Sequence, residues 1–248
     1  MPAYNCERYL EESVKSVIGQ TYKEWELLII DDYSTDQTHQ LAKRLAETDD
    51  RIRVLHNDSN IGVGSTRNRG VRESSSEWIA FLDSDDLWAP QKLELQLSFS
   101  QSTPEARLIY TASSFINEEG AKIDYILHVP KIINRKKLLK QNLISCSSVL
   151  VKRALLLKHL MPEGKNIHED FATWLDILHY EPYAYGIDEP LLTYRLSASS
   201  KSGNKFKAAK MNWYTYRIAG LRIIDAAYYM FWYMINGIRK YKSLQEKK

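Results

Sequence analysis

Cysteine is scarce in this chain of 248 residues, which contains only Cys6 and Cys146. Two cysteines are too few for a disulfide framework or a four-cysteine zinc site, and no secretory leader pattern opens the sequence, so a reducing cytoplasm is the expected setting. Long apolar runs are also missing, since the longest, residues 226–235, is shorter than the roughly 20 residues that a helix needs to cross a bilayer. The mixed composition that remains predicts one sizeable core with a C-terminal extension.

Acidic residues are unevenly distributed and vanish from part of the chain. Residues 1–124 contain 13 lysines and arginines against 22 aspartates and glutamates, whereas residues 125–160 contain eight basic residues and no acidic one. From residue 201 onward there are 11 basic and two acidic residues. This asymmetry indicates either a basic surface that meets an anionic partner or lysines that only solvate a surface. No nucleic-acid-binding module accompanies the basic residues, so a nucleic-acid partner is not expected.

Short apolar runs alternate with helical patterns through the first half of the chain. Residues 25–30 and 78–82 have the length and apolar content of strands buried on both faces. Residues 6–19 and 38–47 show the spacing of amphipathic helices. The alternation predicts βαβ units and a largely parallel sheet, and an unusually aromatic helical pattern follows over residues 207–241.

Three acidic clusters stand where apolar segments end or turn. They are Asp31-Asp32, Asp83-Ser84-Asp85-Asp86 and Glu169-Asp170. Because ligands of open α/β sheets bind beyond the carboxyl ends of the parallel strands, the first two clusters are expected to border one crevice. The three carboxylates of the second cluster repel one another unless a cation or hydrogen-bond donors compensate, and oxygen ligands suit Mg²⁺ or Mn²⁺ together with substrate phosphates. The alternative is that this cluster only forms a turn and caps the following helix.

The order of these motifs resembles that of the family 2 glycosyltransferases, whose catalytic domain has the GT-A fold. Several motifs in a shared order are far more specific than a lone Asp-x-Asp, and the resemblance spans almost all of residues 2–97. The matching segments are Pro2-Ala3-Tyr4-Asn5, Gln20-Thr21-Tyr22, residues 26–36, Asn60-Ile61-Gly62, Arg67-Asn68-Arg69-Gly70, residues 81–88, Pro90 and Lys92-Leu93. The resemblance implies a GT-A-like α/β catalytic domain, which we assign to residues 1–204, followed by a basic, aromatic helical extension over residues 205–248.

The resemblance also implies where the donor nucleotide binds. In that family the segment resembling Pro2-Ala3-Tyr4 and an acid matching Asp32 hold the base and the ribose. A carboxylate can accept from a uracil ring N–H and a tyrosine can stack on the base, although Tyr4 could also be a core aromatic and Asp32 a turn former. Arg67 matches an arginine near the donor, where its guanidinium could clamp a phosphate, and an ordinary helix salt bridge is the alternative.

The remaining acids take their expected roles from the same resemblance. Asp85 matches the direct metal ligand, and Asp83 is expected to contact the ribose or support the metal. Asp86 either supports the metal indirectly or caps a helix. Glu169 and Asp170 match an acidic pair in which one carboxylate deprotonates the acceptor hydroxyl, and the position of the usual base is Asp170. Both could instead only favour a helix N-terminus through its dipole.

Two departures from the family pattern concern the metal site and the first strand. Leu196 and Ser197 stand where a histidine often occurs, which argues against a third protein ligand, and Arg195 or Lys201 could neutralise the diphosphate instead. Family members also have an apolar strand immediately before Pro-Ala-Tyr-Asn. This chain begins at Met1 without one, which predicts either a start codon assigned too late or a truncated, less stable protein.

The C-terminal extension combines aromatic bulk with basic flanks. This composition suits the interfacial zone of an anionic membrane, where a lipid-linked acceptor would lie beside the active site. The alternatives are a helix that folds back onto the catalytic domain and a homodimer contact. The basic residues of the extension are Arg217, Arg222, Arg239, Lys240 and Lys242.

These observations and the family resemblance predict an inverting, metal-dependent glycosyltransferase that moves a sugar from a nucleotide-sugar to a glycan or lipid-linked glycan. The resemblance implies that the donor is a UDP-sugar. The chain resembles transferases of bacterial surface polysaccharide synthesis, of teichuronic acid or O-antigen type, which implies a location in the cytoplasm and at the inner face of the membrane. A sugar nucleotidyltransferase should open with a glycine-rich phosphate loop, which is not found. A non-catalytic glycan-binding or assembly subunit is the other rival, and the presence of Asp85 and Asp170 argues against it.

Overall fold

Helices cover two β-sheets in the computed structural model, which describes residues 1–164, 166–197 and 205–245 and, in the last of these segments, the side chains of residues 208–237. The strands are β1 (Pro2–Ala3), β2 (Leu27–Asp31), β3 (Ile52–His56), β4 (Trp78–Ala80), β5 (Leu87–Trp88), β6 (Leu108–Ile116), β7 (Lys122–Leu127), β8 (Ile132–Ile133), β9 (Leu150–Lys152) and β10 (Ala184–Arg195). The helices are α1 (Leu10–Ile18), α2 (Thr38–Ala46), α3 (Val63–Glu73), α4 (Lys92–Ser102), α5 (Arg135–Lys140), α6 (Arg153–Lys158), α7 (Glu169–Tyr180), α8 (Lys205–Ile218) and α9 (Ile223–Gln245).

The first sheet is parallel, in the order β1-β2-β3, with α1 and α2 as the crossovers. The predicted βαβ units are therefore confirmed. All five residues of β2 are buried, as its apolar composition predicts for a strand covered on both faces. Ala3, Asp31 and His56 end the three strands and are aligned in register, so the residues that follow them emerge at one edge of the sheet.

The second sheet has the order β4-β9-β6-β10-β5, with β7 added on β6 and β8 on β10. Its β6–β10 pair is parallel, and its other pairs are antiparallel. Trp174 of α7 is fully buried in the hydrophobic core that covers this sheet. No strand was predicted at β10, which contains Pro190 between two register shifts. Proline cannot donate to a β-ladder, so it interrupts the pattern by which a strand is recognised.

A cavity of about 360 Å³ lies between β2 and β4. It is lined by apolar side chains of both strands, among them Leu28, Ile30 and Ile79. The Met1 ammonium stands at its border and donates to the Leu28 carbonyl oxygen over 2.8 Å. Burial, with a further contribution from the charge of Arg67, lowers the pKa of this amine to about 5. The cavity leaves room beside β2 for further apolar side chains.

We expect that six β-branched residues placed before Met1 would stabilise the protein. Such a segment would extend β1 alongside β2 and bury two or three side chains in the cavity, and it would remove the buried amine. The newly buried apolar surface, less the entropic cost of ordering the segment, should raise the free energy of unfolding by about 2 kcal/mol. This corresponds to a rise of about 4–8 °C in Tm. Calorimetry of the extended protein measures this, with a Gly/Ser segment of equal length as the control. Equal Tm values for the two extensions would contradict the expectation.

The helical pattern of the C-terminal extension is divided into α8 and α9 at Gly220, whose φ of +80° lies in the left-handed region. One face of the two helices packs on the core of the second sheet, where Tyr216 and Ala226 are fully buried. The Tyr216 hydroxyl donates to the Leu139 carbonyl oxygen of α5 over 2.6 Å. Within the described part of the chain, no helix has both the length and the apolarity to cross a membrane.

Candidate active site

The predicted base- and ribose-binding residues lie at the edge where the parallel strands end. Ala3 ends β1 beside Asp31, and the Asp32 N–H donates to the Ala3 carbonyl oxygen over 2.8 Å. Pro2 and Ala3 are buried, whereas the Tyr4 side chain is 50% exposed. An exposed ring beside a fixed backbone edge is available to stack on a planar ligand. The alternative that Tyr4 is a core aromatic is therefore wrong.

The loops that follow β1 and β2 are tied together by side chains. Asn5 Oδ1 accepts from the Thr35 N–H over 2.8 Å, and the Asn5 N–H donates to Ser34 Oγ over 3.0 Å. Glu7 Oε2 accepts from the Gln37 N–H over 2.7 Å. These contacts hold the loop that carries Tyr4 against the loop that follows Asp32.

The Asp32 carboxylate is buried and organises the next loop. Its Oδ1 accepts from Asn57 Nδ2 over 2.7 Å and from the Ile61 N–H over 2.9 Å, and its Oδ2 accepts from the Gly62 N–H over 2.9 Å. Gly62 adopts a φ of +86°, a conformation that favours glycine, and α3 begins at the next residue. A carboxylate has roughly four acceptor positions, so one remains for a ligand N–H or hydroxyl.

The acidic turn, residues Asp83 to Asp86, follows β4 and is held by backbone contacts. The Asp83 N–H donates to Ser147 Oγ over 3.0 Å, and the Asp86 N–H donates to the Asp83 carbonyl oxygen over 3.1 Å. Asp86 Oδ1 accepts from the Arg195 N–H over 3.0 Å. Gln91 is the N-cap of α4, so the alternative that this turn caps that helix is wrong.

The carboxylates of the acidic turn are mutually destabilising. Burial, and next the charge of Asp83, raises the pKa of Asp85 to about 6. Burial, and next the charge of Asp85, raises the pKa of Asp86 well above its ordinary value. Asp86 Oδ2 is buried without a hydrogen-bond partner among the described residues. Crowded carboxylates with an unpartnered oxygen fit a hard divalent cation such as Mg²⁺ or Mn²⁺.

Arg67 joins the acidic turn to the acidic pair of α7. Its Nη2 donates to Asp83 Oδ1 over 2.5 Å and its Nη1 donates to Glu169 Oε1 over 2.9 Å, while the arginine side chain is only 5% exposed. Burial alone would lower the pKa of Arg67, but the charges of Asp83 and Glu169 raise it above its ordinary value. An added Cβ at Gly64 would lie 3.3 Å from Glu169 Cγ, so glycine gives this carboxylate room.

The two acids at the start of α7 lie in different environments. Glu169 is buried against Arg67, whereas Asp170 is half-buried. Burial, and next the charge of Glu169, raises the pKa of Asp170 above its ordinary range. The His168 N–H, immediately before the pair, donates to Thr215 Oγ1 of α8 over 3.1 Å, so α8 helps to position the start of α7. A carboxylate with a raised pKa is better matched to proton transfer near neutral pH than an ordinary aspartate.

Arg195 supports the acidic turn rather than facing a diphosphate. Its Nε donates to the Asp85 carbonyl oxygen over 2.9 Å, and its Nη2 donates to Glu12 Oε2 over 2.6 Å. Its guanidinium also lies 4.4 Å from the centre of the Tyr9 ring. The prediction that Arg195 could neutralise the diphosphate is therefore not supported by its geometry, and Lys201 lies outside the described residues.

Comparison with known proteins gives the family. The profile of the family described as Glycosyl transferase family 2 matches residues 1–158. This chain belongs to the family 2 glycosyltransferases. The match extends well beyond residues 2–97, on which the sequence resemblance rests, and it confirms that the chain is a glycosyltransferase.

Relatives of this family 2 glycosyltransferase match nearly its whole length. The putative teichuronic acid biosynthesis glycosyltransferase TuaG of Bacillus subtilis is 36% identical over 96% of this chain and 94% of its own length. The UDP-Glc:alpha-D-GlcNAc-diphosphoundecaprenol beta-1,3-glucosyltransferase WfgD of Escherichia coli is 36% identical over 97% of this chain and 93% of its own. The predicted resemblance to teichuronic-acid and O-antigen-type transferases is confirmed at the level of these relatives.

A solved structure confirms the fold of this glycosyltransferase. TarS of Staphylococcus aureus, residues 1–349 in complex with UDP-GlcNAc, matches it with a TM-score of 0.71 at 18% identity, over 94% of this chain and 70% of that chain. The GT-A-like α/β class predicted from the sequence is thereby confirmed. The roles assigned to individual residues stay predictions.

Proposed function

We propose that this glycosyltransferase is an inverting, metal-dependent enzyme that transfers a sugar from a UDP-sugar to a glycan or lipid-linked glycan in cell-surface polysaccharide biosynthesis. The observation that carries the proposal is the Arg67 bridge. Asp83 and Glu169 are far apart in sequence, yet they bind the two sides of one guanidinium. An acidic turn suited to a cation and a pair of acids suited to proton abstraction thus adjoin one another, as sugar transfer requires.

The donor nucleotide is proposed to bind at the edge of the first sheet. Asp32 would accept from the uracil ring N–H or a ribose hydroxyl through its remaining acceptor position, and the exposed Tyr4 ring would stack on the base. The helix α3 connects this edge to the acids, because Asn57 Nδ2 donates to both Asp32 and Thr66, and Thr66 precedes Arg67. Arg67 would reach a donor phosphate only by giving up part of its contacts with the acids.

The cation is proposed to be held by Asp85 and Asp83, and when bound it neutralises charge on the departing nucleoside diphosphate. Glu169 forms an ion pair with Arg67, so Asp170 is the acid proposed to take the proton from the acceptor hydroxyl. The hydroxyl oxygen would form its bond to the anomeric carbon as the bond to the diphosphate breaks. A single displacement of this kind inverts the anomeric centre.

The acceptor is proposed to be linked to a lipid, as in the relative named for a diphosphoundecaprenol substrate. The outer face of α9 supports this proposal. This face, defined by Ile223, Ile224, Tyr228, Phe231 and Met234, is exposed, with Ile224 81% and Phe231 56% accessible. The neighbouring helix α5, which packs against α9, carries the exposed Lys136 and Lys137, and exposed apolar groups together with cationic groups suit an anionic membrane. The side chains of Arg239, Lys240 and Lys242 lie outside the described ones. The proposed setting is the inner face of the cell membrane.

Replacing Ile224 and Phe231 together by serine is expected to weaken membrane binding. Loss of two exposed apolar side chains removes about 2 kcal/mol of insertion energy, or roughly thirtyfold in the partition constant. Co-flotation with vesicles that contain anionic lipid measures this, and Tyr180→Ser, which removes another exposed ring (69% accessible), is the control. Equal flotation of the double variant and wild type would dismiss membrane contact through this face. If the wild type is a dimer and the double variant is a monomer, this face is a homodimer interface instead.

A donor and acceptor panel tests the proposed reaction. The protein is incubated with UDP- and GDP-sugars, Mn²⁺ and a polyprenyl-diphosphate-linked sugar, and release of nucleoside diphosphate is measured with and without chelator. We expect release from a UDP-sugar that needs both the acceptor and the metal, with an inverted anomeric centre in the product. Metal-independent release, or a product with retained configuration, would refute the mechanism.

A further inference from the structure

A second group of metal-binding side chains lies at the edge of the first sheet. Asp31 ends β2, His56 ends β3 and His39 stands in the first turn of α2. Successive residues of a strand point to opposite faces, so Asp31 and Asp32 direct their carboxylates to different sides. Asp32 binds the loop before α3, whereas Asp31 meets the two histidines.

The three side chains are close enough to share one ion. Asp31 Oδ2 lies 2.7 Å from His56 Nδ1 and 3.4 Å from His39 Nδ1, and the ligand atoms of all three residues lie within 4.8 Å of one another. Ligands of a tetrahedral zinc ion are roughly 3.3 Å apart, because each bond is about 2.0–2.2 Å long. Small side-chain rotations would bring the three atoms to that spacing. Among the described residues, this is the group of three or more histidine, cysteine and acidic side chains whose ligand atoms all lie within 4.8 Å of one another.

His39 gives an independent indication of a ligand. Its Nδ1 atom is buried and has no hydrogen-bond partner among the described residues, since its approach to Asp31 lacks the alignment of a hydrogen bond. An imidazole with an unpartnered, buried ring nitrogen is available to coordinate a metal.

The orientation of the carboxylate is also supported. Asp31 is completely buried, and its Oδ1 accepts from the Ser34 N–H over 3.3 Å. In metal sites, hydrogen bonds from neighbouring groups to a ligating side chain hold that ligand in its orientation. The two imidazoles distinguish this group from the all-oxygen acidic turn, since nitrogen ligands favour Zn²⁺ and related transition metals over Mg²⁺ and Mn²⁺.

We propose that Asp31, His39 and His56 form a second metal site, which binds one Zn²⁺ ion and is separate from the proposed catalytic cation site. The bound ion would join the ends of β2 and β3 to α2, one residue from Asp32. Three protein ligands leave a fourth position for water, and the half-exposed side of the group, where His56 is 40% accessible, admits it.

Metal titrations of the full chain test this proposal. The titrations use chelator-treated Asp85→Asn protein, in which cation binding at the acidic turn is weakened. Zn²⁺ binding is measured by calorimetry and Co²⁺ binding by visible absorption. We expect one equivalent of Zn²⁺ with a micromolar or lower Kd, d–d bands of a four- or five-coordinate Co²⁺, and a rise in Tm with Zn²⁺. In the same background, His39→Gln and His56→Gln should each weaken Zn²⁺ binding by about a hundredfold or more.

The matched control is His128→Gln, because His128 Nδ1 also lies beside a carboxylate, at 3.1 Å from Asp188. This control should bind Zn²⁺ like its parent. Zn²⁺ affinity that is unchanged in His56→Gln, or no Zn²⁺ binding in the parent, would overturn the proposal. His56 is exposed, so its replacement leaves the fold intact and decides the question even where His39→Gln unfolds, as circular dichroism would show.

Discussion

Replacing Asp85 by asparagine is expected to remove metal-dependent donor binding and to lower the transfer rate by about a thousandfold or more. Asparagine keeps the shape of the side chain but removes the charge that would hold the cation. A cation at a departing diphosphate contributes several kcal/mol, and each 1.4 kcal/mol is a factor of ten in rate. Titration of the donor with and without Mn²⁺, followed by steady-state kinetics, measures both losses.

The folded state should tolerate this change. Because burial and the charge of Asp83 raise the pKa of Asp85 to about 6, its ionised form opposes folding in the absence of a cation, and a neutral amide should leave Tm equal or higher. Asp124→Asn, at an exposed position of β7, is the matched control and should retain full turnover. Normal Mn²⁺-dependent turnover by the Asp85 variant would exclude Asp85 as the principal ligand.

Asp170→Asn is expected to bind the donor normally and to lose transfer by a factor of about 10²–10⁴, the usual contribution of a general base. The amide cannot take the proton from the acceptor hydroxyl, whereas the residues proposed for the nucleotide and the cation are unchanged. Donor affinity by calorimetry and kcat by product formation separate the two effects. Loss of donor affinity together with kcat would assign Asp170 to donor binding instead.

The pH dependence of transfer provides a second measure of Asp170. Burial and the charge of Glu169 raise its pKa, and a base acts only when deprotonated, so kcat should fall with decreasing pH at a higher pH than an ordinary aspartate of about 3.9 would give. The residual activity of Asp170→Asn should lack this fall in kcat at acidic pH, the acidic limb of the profile. Glu169→Gln, the adjacent contrast, removes one partner of the buried Arg67 and should lower stability by about 2–4 kcal/mol. If Glu169→Gln instead removes the acidic limb at unchanged Tm, the two roles are reversed.

Local sequence patterns predicted the first sheet well and the second only in part, where the strand predicted over residues 78–82 contains β4. Residues 25–30 were predicted as a buried strand and contain most of β2, and the helix predicted over residues 38–47 is α2. These elements follow from periodicity and from short βαβ connections. In contrast, β10 pairs with strands from several parts of the chain and contains Pro190, so no local alternation marks it. Its recognition requires the long-range partners themselves.

Within the candidate site, the acids were predictable, whereas the residues that hydrogen-bond to them were predictable only in part. Asp83, Asp85 and Asp170 stand out as clustered charges at the ends of apolar segments. Asn57, which binds Asp32, follows β3 directly, and its position at a strand end was a usable signal. Ser147, which fixes the Asp83 backbone, lies in a run of small residues without any distinguishing pattern.

The sequence by itself determined the family, the acids available for chemistry and the βαβ half that presents some of them, because motif order, residue type and hydrophobic period are local properties. Tertiary structure alone decided that Arg67 joins Asp83 to Glu169, which leaves Asp170 as the acid without that ion pair. It likewise decided that the α9 helix buries one face and exposes the other. Charge pairing and burial depend on which distant segments meet in space, and that is fixed only when the two sheets and their helices pack together.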